Sequence, residues 1–289
     1  VLAYLLPMRF LKVLIPPMLI ASLVLMFLTL FTGLGVSQMG ARRWIEIGPV
    51  GFQPSELVKV TVILFLAHYF SRRRDGAITF YATLYPLSVV LLFGGLILMQ
   101  RDFSTTLIFI ATAVFIFITA RIKVSYLLYI FTLIGVPGVV FLLSESYRLK
   151  RIVGFLFRDI DPTGINYQVN AAAQAIAAGG VFGKGFGAGI FKLGRLPEVH
   201  SDFIFASCIE ETGLLGGITV VALFATFGVL GFYGAACLKG RDNFLYYAGT
   251  GLTALILWQA MMNIAVVTGL IPPTGIPLPF FSQGGTSLV

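Results

Sequence analysis

Seven long apolar stretches of this sequence read as membrane helices, the second of them short for a bilayer and carrying Glu56 and Lys59, and that feature constrains the fold more than any other. They lie near 14–34, 55–70, 80–99, 103–120, 125–143, 203–238 and 244–268, each bounded by short polar punctuation. A spanning helix needs about 20 mostly apolar residues to cross a hydrocarbon core roughly 30 Å thick. The balance of residues agrees, with 58% hydrophobic and 11% charged, where a soluble domain carries about a quarter charged. A soluble globular domain is excluded. A transmembrane β-barrel is excluded too, because its strands alternate apolar and polar residues and these runs are continuous. The expected fold is an all-α integral membrane protein, a polytopic helical bundle with about seven complete spans, forming a single membrane domain over 1–289. The segment 144–202 is left outside the bilayer between two spans.

The chain opens at Val1 and stops at Val289, where Thr286-Ser287-Leu288-Val289 begins another helical pattern, so both ends are expected to be cut. Cys208 and Cys237 sit inside apolar runs, which leaves neither a disulfide framework nor a CxxC pair. Basic residues set the orientation. Arg9 and Lys12, then Arg72, Arg73 and Arg74, then Arg121 and Lys123, then Lys239 and Arg241 all fall on one side by alternation, and the positive-inside rule makes that side cytoplasmic. Of the 12 acids, only Asp75 and Asp242 lie in those inner loops. The inner clusters account for much of the net charge of +8 through topology and contact with anionic membrane lipids, so no nucleic-acid partner is expected. Mixed charge gathered outside points to a polar site there.

Four outer segments carry residues that a spacer would not need. The first runs Gly40-Ala41-Arg42-Arg43-Trp44-Ile45-Glu46-Ile47-Gly48-Pro49 and continues to Phe52-Gln53-Pro54-Ser55-Glu56-Leu57-Val58-Lys59. Pro54 suits a helix entrance and Ser55 its cap, which puts Glu56 in the first turn and Lys59 one turn deeper on nearly the same face. Mutual neutralisation is their plainest role, but an ionisable pair at membrane depth is costly and usually lines a polar cavity. The second segment is Gln100-Arg101-Asp102, a tight turn whose aspartate can cap the next helix.

The third segment is 144–202. Its glycines at 179, 180, 183, 185, 187 and 189 resemble a phosphate loop, yet the GxxxxGK[ST] spacing fails because Lys184 is followed by Gly185. Asp159-Ile160-Asp161 reads as a turn. The segment ends in Leu196-Pro197-Glu198-Val199-His200-Ser201-Asp202-Phe203-Ile204-Phe205 and runs on to Glu210-Glu211-Thr212-Gly213. Asp202 lies at the mouth of a membrane helix, with Glu210 two turns further along near the same face. Two carboxylates descending from the membrane surface favour function over a simple cap with a surface histidine. The fourth segment, 263–285, holds Pro272, Pro273, Pro277 and Pro279 in an uncharged apolar stretch. It reads as a rigid non-helical or re-entrant element, which membrane depth tolerates only against protein or a water-filled cavity.

These four segments, in this order, resemble the RodA/FtsW/SpoVE family of bacterial cell-wall proteins, called SEDS, over essentially the whole chain. The most specific parts are Arg43-Trp44 with Phe52-Gln53-Pro54-Ser55-Glu56, then Leu196-Pro197-Glu198 with His200-Ser201-Asp202-Phe203-Ile204-Phe205 and Glu210-Glu211. The last is Thr268-Gly269 through Pro279 with Ser282-Gln283-Gly284-Gly285. Members of the family are similar in having about ten spans. This chain departs from them at Gln100-Arg101-Asp102-Phe103-Ser104-Thr105, where they usually read Gln-Pro-Asp-Leu-Gly-Thr, and at Gln283, where they often carry Tyr.

The resemblance implies a peptidoglycan glycosyltransferase that polymerises lipid II at the outer face of the bacterial cytoplasmic membrane, for cell shape, division or sporulation. It implies a class B penicillin-binding protein, a transpeptidase, as partner. Asp202 matches the family's catalytic aspartate, while Arg43, Trp44, Glu56 and Lys59 match positions tied there to activity or to the central cavity. Asp102, His200 and Glu210 join them as substrate-binding or cavity candidates. Lys192-Leu193-Gly194-Arg195 looks more like the division branch (FtsW, SpoVE) than the elongation branch (RodA).

Chemistry is consistent with that implication. Lipid II carries a diphosphate at headgroup level and sugars in the external water, so its enzyme needs cations just above the membrane and a carboxylate where the sugar hydroxyl arrives. Asp202 is expected to deprotonate the acceptor 4-hydroxyl, while outer Arg or Lys residues, or a divalent cation, stabilise the leaving diphosphate. Two other readings compete. A lipid II flippase should show substrate-binding charge to both sides, whereas the acids here crowd the outer one. A non-catalytic scaffold for the penicillin-binding protein would tolerate replacement of Asp202.

Overall fold

The computed structural model describes residues 8–33, 35–38, 41–47, 50–73, 80–123, 125–126, 132, 167–191 and 201–282. The span expected near 125–143 falls outside these apart from residues 125, 126 and 132, and so do His200 and Gln283. Among the described residues the order is α1 (Met8–Phe31), β1 (Gly35–Gln38), β2 (Ala41–Ile47), β3 (Val50–Phe52), α2 (Pro54–Ser71), α3 (Phe80–Met99) and α4 (Phe103–Thr119). It continues with α5 (Tyr167–Gly179), α6 (Ile204–Cys237) and α7 (Asn243–Val267). α1, α3, α6 and α7 are long and apolar enough to cross a membrane, and α4 is a shorter apolar helix. The other expected spans thus each fall on a helix. α1 begins at Met8 rather than near 14, taking in Pro16, Pro17 and Lys12, whose long stem lets a charged head leave the apolar layer.

Burial follows membrane logic. α1 buries Ser22 and Thr29 together with Ile15 and Met26, while Phe10, Val13, Ile20 and Phe27 are exposed. The buried positions recur at helical spacing, and Ser22 Oγ donates to Thr61 Oγ1 of α2 at 3.3 Å. Polar side chains facing protein and large apolar ones facing outward require a hydrocarbon solvent.

The chain forms two compact units, one of Val1–Tyr129 and Leu230–Leu255 with Val289, the other of Ile130–Val229 and Ile256–Leu288. In the first, α2 packs against α1, α3 and α4. After α1 the chain makes a three-stranded antiparallel sheet in the order β1-β2-β3, with Val36 opposite Trp44, Ile45 opposite Phe52, and a bulge between Val36 and Ser37. This sheet departs from the all-α expectation. Its strands run 4, 7 and 3 residues, and the longest carries Arg42, Arg43 and Glu46, so the segment reads as a polar loop. α2 starts at Pro54 as its proline suggests, but the N-cap position is Gln53, not Ser55, and no side chain caps it. The Gln53 amide is engaged elsewhere, and Ser55 is buried in the first turn. Asp102 does cap α4, accepting the Thr105 N–H at 3.1 Å.

In the second unit Ala171, Ala172 and Ala175 of α5 pack with Phe203, Phe205 and Ile209 around α6, and with Ala260, Val266 and Leu278. α6 breaks its helical path at Gly213, where φ is 73°. Beyond α7 the chain runs through 268–282 in turns and irregular backbone, as its prolines predict.

Candidate active site

Within the first unit, β2, the start of α2 and the α3–α4 turn bring a polar group together. Arg43 lies 3.6 Å from Asp102 Oδ2 and donates to the Arg101 carbonyl at 2.7 Å. Gln53 Nε2 donates to the same Asp102 oxygen at 3.2 Å. With its other oxygen capping α4, the Asp102 carboxylate is an anchor that holds Gln53 and Arg43, and it is only 4% exposed. The Arg43 side chain keeps 31% exposure, while its Nε is buried without a hydrogen-bond partner. Trp44 stands against Gly51, where an added Cβ would meet its ring at 3.3 Å.

One turn into α2, Lys59 Nζ lies 2.7 Å from Glu56 Oε1. The lysine side chain is 2% exposed and the glutamate 19%. A crevice between Val62, Phe109, Thr112 and Leu255 runs along the lysine and has no room for a water molecule. The pair therefore neutralises itself, with its open side at Glu56.

In the second unit, Asp202 sits half-buried just before α6. Two buried groups hold the backbone carbonyls of Ser201 and Asp202. Asn263 Nδ2 of α7 donates to the Asp202 carbonyl and to the Ile276 carbonyl, both at 2.7 Å. Ser282 Oγ donates to the Ser201 carbonyl and accepts the Leu278 N–H at 2.7 Å. The mouth of α6 is thereby tied to the irregular segment after α7. Gly275, at φ 72°, presents no side chain to the Asp202 carboxylate, and a Cβ there would come within 3.5 Å of Oδ2.

Glu210, fully buried in α6, is occupied differently. It pairs with Lys184 at 2.9 Å and accepts the N–H groups of Ile190 at 2.8 Å and Phe191 at 3.2 Å. Glu211 accepts the Gly187 N–H at 3.0 Å, and the backbone carbonyls of Glu210 and Glu211 accept the N–H groups of Lys184 and Gly185. The break at Gly213 frees those carbonyls. Gly183 comes so close that a Cβ on it would stand 2.2 Å from the Glu211 oxygen. Glu210 is thus a positioning residue that fastens the loop 180–191. Glu210→Ala is expected to speed amide exchange in 184–191 by about tenfold to a hundredfold, since charged hydrogen bonds contribute about 1.5–3 kcal/mol each. Hydrogen exchange of the purified protein checks this, and unchanged protection there would contradict it.

Arg43, Trp44, Glu56, Lys59 and Asp102 all lie in the first unit, and Asp202 and Glu210 in the second. Gln53, Lys184, Asn263, Gly275 and Ser282 are not among the sequence candidates. For Asn263 a signal existed: a buried amide in an apolar helix must find carbonyls. Among the described residues no three His, Cys, Asp or Glu side chains gather to hold a metal ion.

The sequence matches the FtsW/RodA/SpoVE family pattern, a cell cycle protein family, over residues 1–289. It is 37% identical over 285 residues to the probable peptidoglycan glycosyltransferase FtsW of Borreliella burgdorferi, spanning 98% of this chain and 76% of that protein. With stage V sporulation protein E of Bacillus subtilis the identity is 38% over 267 residues, 91% of this chain and 72% of the relative. Among solved structures, it is similar to a chain from work on the structural coordination of polymerization and crosslinking by a peptidoglycan synthase complex. The TM-score there is 0.80 at 29% identity, covering 99% of this chain and 80% of that one. It is also similar to the rod shape determining protein RodA of Thermus thermophilus, with a TM-score of 0.68 at 26% identity over 98% and 75% of the two chains. The match runs from end to end, so this mostly helical membrane protein belongs to the FtsW/RodA/SpoVE family of cell cycle proteins.

Proposed function

We propose that this protein is a peptidoglycan glycosyltransferase that polymerises lipid II, with Asp202 as general base. The observation that carries the reading is the clamp at Asp202, whose carbonyl is held by the buried Asn263 amide and whose neighbour Ser201 is held by the Ser282 hydroxyl, beside side-chain-free Gly275. It stands in a chain that spans about two-thirds to three-quarters of relatives named probable peptidoglycan glycosyltransferase FtsW. The acceptor 4-hydroxyl oxygen attacks the anomeric carbon of the donor, the bond from that carbon to the lipid diphosphate breaks, and the hydroxyl proton passes to Asp202. The transition state is oxocarbenium-like, and a positioned base contributes about 10²–10⁴-fold.

Negative charge collects on the departing diphosphate, and a guanidinium matches it well. Arg43 is the proposed donor, braced by Asp102 and the Arg101 carbonyl. Arg43→Gln is expected to lower the apparent second-order rate constant for lipid II by about tenfold to a hundredfold, the worth of one charged hydrogen bond. Changing Arg72, Arg73 and Arg74 together should do neither that nor slow turnover in orientation-checked samples. Equal losses per correctly oriented molecule would contradict the assignment of Arg43.

The proposed membrane side is external. It is supported by the gathering of Lys12, Arg72 and Arg241 at one end of the first unit, which the positive-inside rule makes cytoplasmic. A class B penicillin-binding protein is the proposed partner, supported by the likeness to a chain from a complex that coordinates polymerization and crosslinking. Identities of 37% and 38% to FtsW and stage V sporulation protein E support the division branch. Proteoliposomes with the full-length protein, its transpeptidase partner and fluorescent lipid II test the reaction class. Glycan strands are expected. Lipid II crossing the bilayer with no glycan formed would indicate a flippase, and neither event would indicate a scaffold.

A further inference from the structure

In the first unit, at the end of α2 away from Asp102, a cavity of about 530 Å³ opens among residues far apart in sequence. Lys12 of α1, His68 and Arg72 from the end of α2, and Arg241, Asp242 and Phe244 at the start of α7 line it. Topology requires positive charge in the inner loops, but it does not require three cations from three elements to converge on one hollow. Their mutual repulsion is unfavourable unless an anion joins them.

Among the described residues no side chain supplies that anion. Among the described lining residues Asp242 is the single acid, and its Oδ1 accepts the N–H groups of Phe244 and Leu245 at 3.0 and 3.2 Å as the cap of α7. Among the described residues Lys12, Arg72 and Arg241 make no ion pair. Lys12 Nζ lies instead 4.9 Å from the Phe244 ring centroid, and His68 Nδ1 is buried without a hydrogen-bond partner.

We infer that this hollow binds the phosphate of an anionic phospholipid of the cytoplasmic leaflet. Free phosphate shares the chemistry, but the surroundings favour a lipid. Val13 lines the cavity and is 72% exposed, and it stands on α1 with exposed Phe10 and Leu14. That apolar strip beside the cationic hollow is where acyl chains lie when the headgroup is seated. Basic pockets between helices on the cytoplasmic side hold anionic headgroups in this way, at about 1 kcal/mol per basic residue, which is about fivefold in affinity. The bound lipid ties the ends of α1, α2 and α7 together and takes no part in glycosyl transfer.

Native mass spectrometry of the full-length protein in neutral detergent tests the site with phosphatidylglycerol and phosphatidylcholine. Retention of phosphatidylglycerol at least about tenfold above phosphatidylcholine is expected. Lys12→Gln/Arg72→Gln/Arg241→Gln should lower it about a hundredfold, while Arg121→Gln/Lys123→Gln, inner charges outside the hollow, should leave it unchanged. If the triple variant fails to fold, Arg241→Gln alone, in an exposed turn, should lower retention about fivefold. No preference for phosphatidylglycerol, or an equal loss in the Arg121/Lys123 variant, would overturn the site. Displacement of the lipid by inorganic phosphate would overturn the lipid assignment and make free phosphate the ligand.

Discussion

Replacing Glu56 with leucine is expected to remove most of the folded protein, and to do so more completely than replacing Lys59 with methionine. The asymmetry comes from burial. Lys59 is 2% exposed with its ammonium on Glu56, so loss of the carboxylate strands a charge against Val62, Phe109 and Leu255. Breaking a buried pair from one side costs about 3–5 kcal/mol, a large part of the roughly 5–15 kcal/mol that holds a typical domain folded. Loss of Lys59 leaves Glu56, which at 19% exposure keeps a route to a polar environment. The double variant Glu56→Leu/Lys59→Met removes both charges and should regain most of the melting temperature and monodisperse yield in detergent. Its activity should stay low, because the polar pair at membrane depth is then gone. A Glu56→Leu protein that melts like the wild type would contradict the buried-pair account. Full recovery of both folding and turnover in the double variant would reduce the pair to a structural one.

Legibility in the sequence divides along physical lines. Helices solvated by lipid announce themselves through length and apolarity, which is why the run at 80–99 coincides with Phe80–Met99. Local chemistry is legible too: Pro54 opens α2, and Asp102 caps α4 three residues before its Thr105 partner. Long-range pairings leave no such trace. The Asn263 amide reaches a carbonyl 61 residues away, and Lys184 meets Glu210 across 26 residues only because α6 breaks at Gly213 and a glycine loop closes on the break. The sheet over β1 to β3 hides for a different reason, since its longest strand, Ala41–Ile47, carries Arg42, Arg43 and Glu46 in a segment that reads as a polar loop. As for Asp202, its position at the mouth of a helix is legible from charge and hydropathy. Its proposed role as a base rests on the resemblance, which no spacing rule supplies.

Asp202→Asn is the change with the largest expected effect on chemistry. Asparagine keeps the volume and hydrogen-bonding shape of the side chain, and the clamp on residue 202 is made through its backbone carbonyl by Asn263, so the mouth of α6 should keep its form. What the amide cannot do is accept the acceptor hydroxyl's proton, and the contribution of a positioned base is about 10²–10⁴-fold. The Asn263 amide and the Ser282 hydroxyl bind backbone carbonyls, which the substitution leaves in place, and matching the melting temperatures separates any loss of folding from loss of chemistry. The decisive measurement is the initial rate of lipid II polymerisation by the purified full-length protein with its penicillin-binding partner, wild type against Asp202→Asn, at matched melting temperature and matched partner co-purification. The account predicts a fall of about 10²–10⁴-fold with folding and complex formation intact. An Asp202→Asn complex that polymerises lipid II at near the wild-type rate would contradict it and leave Asp202 a structural residue at the mouth of α6.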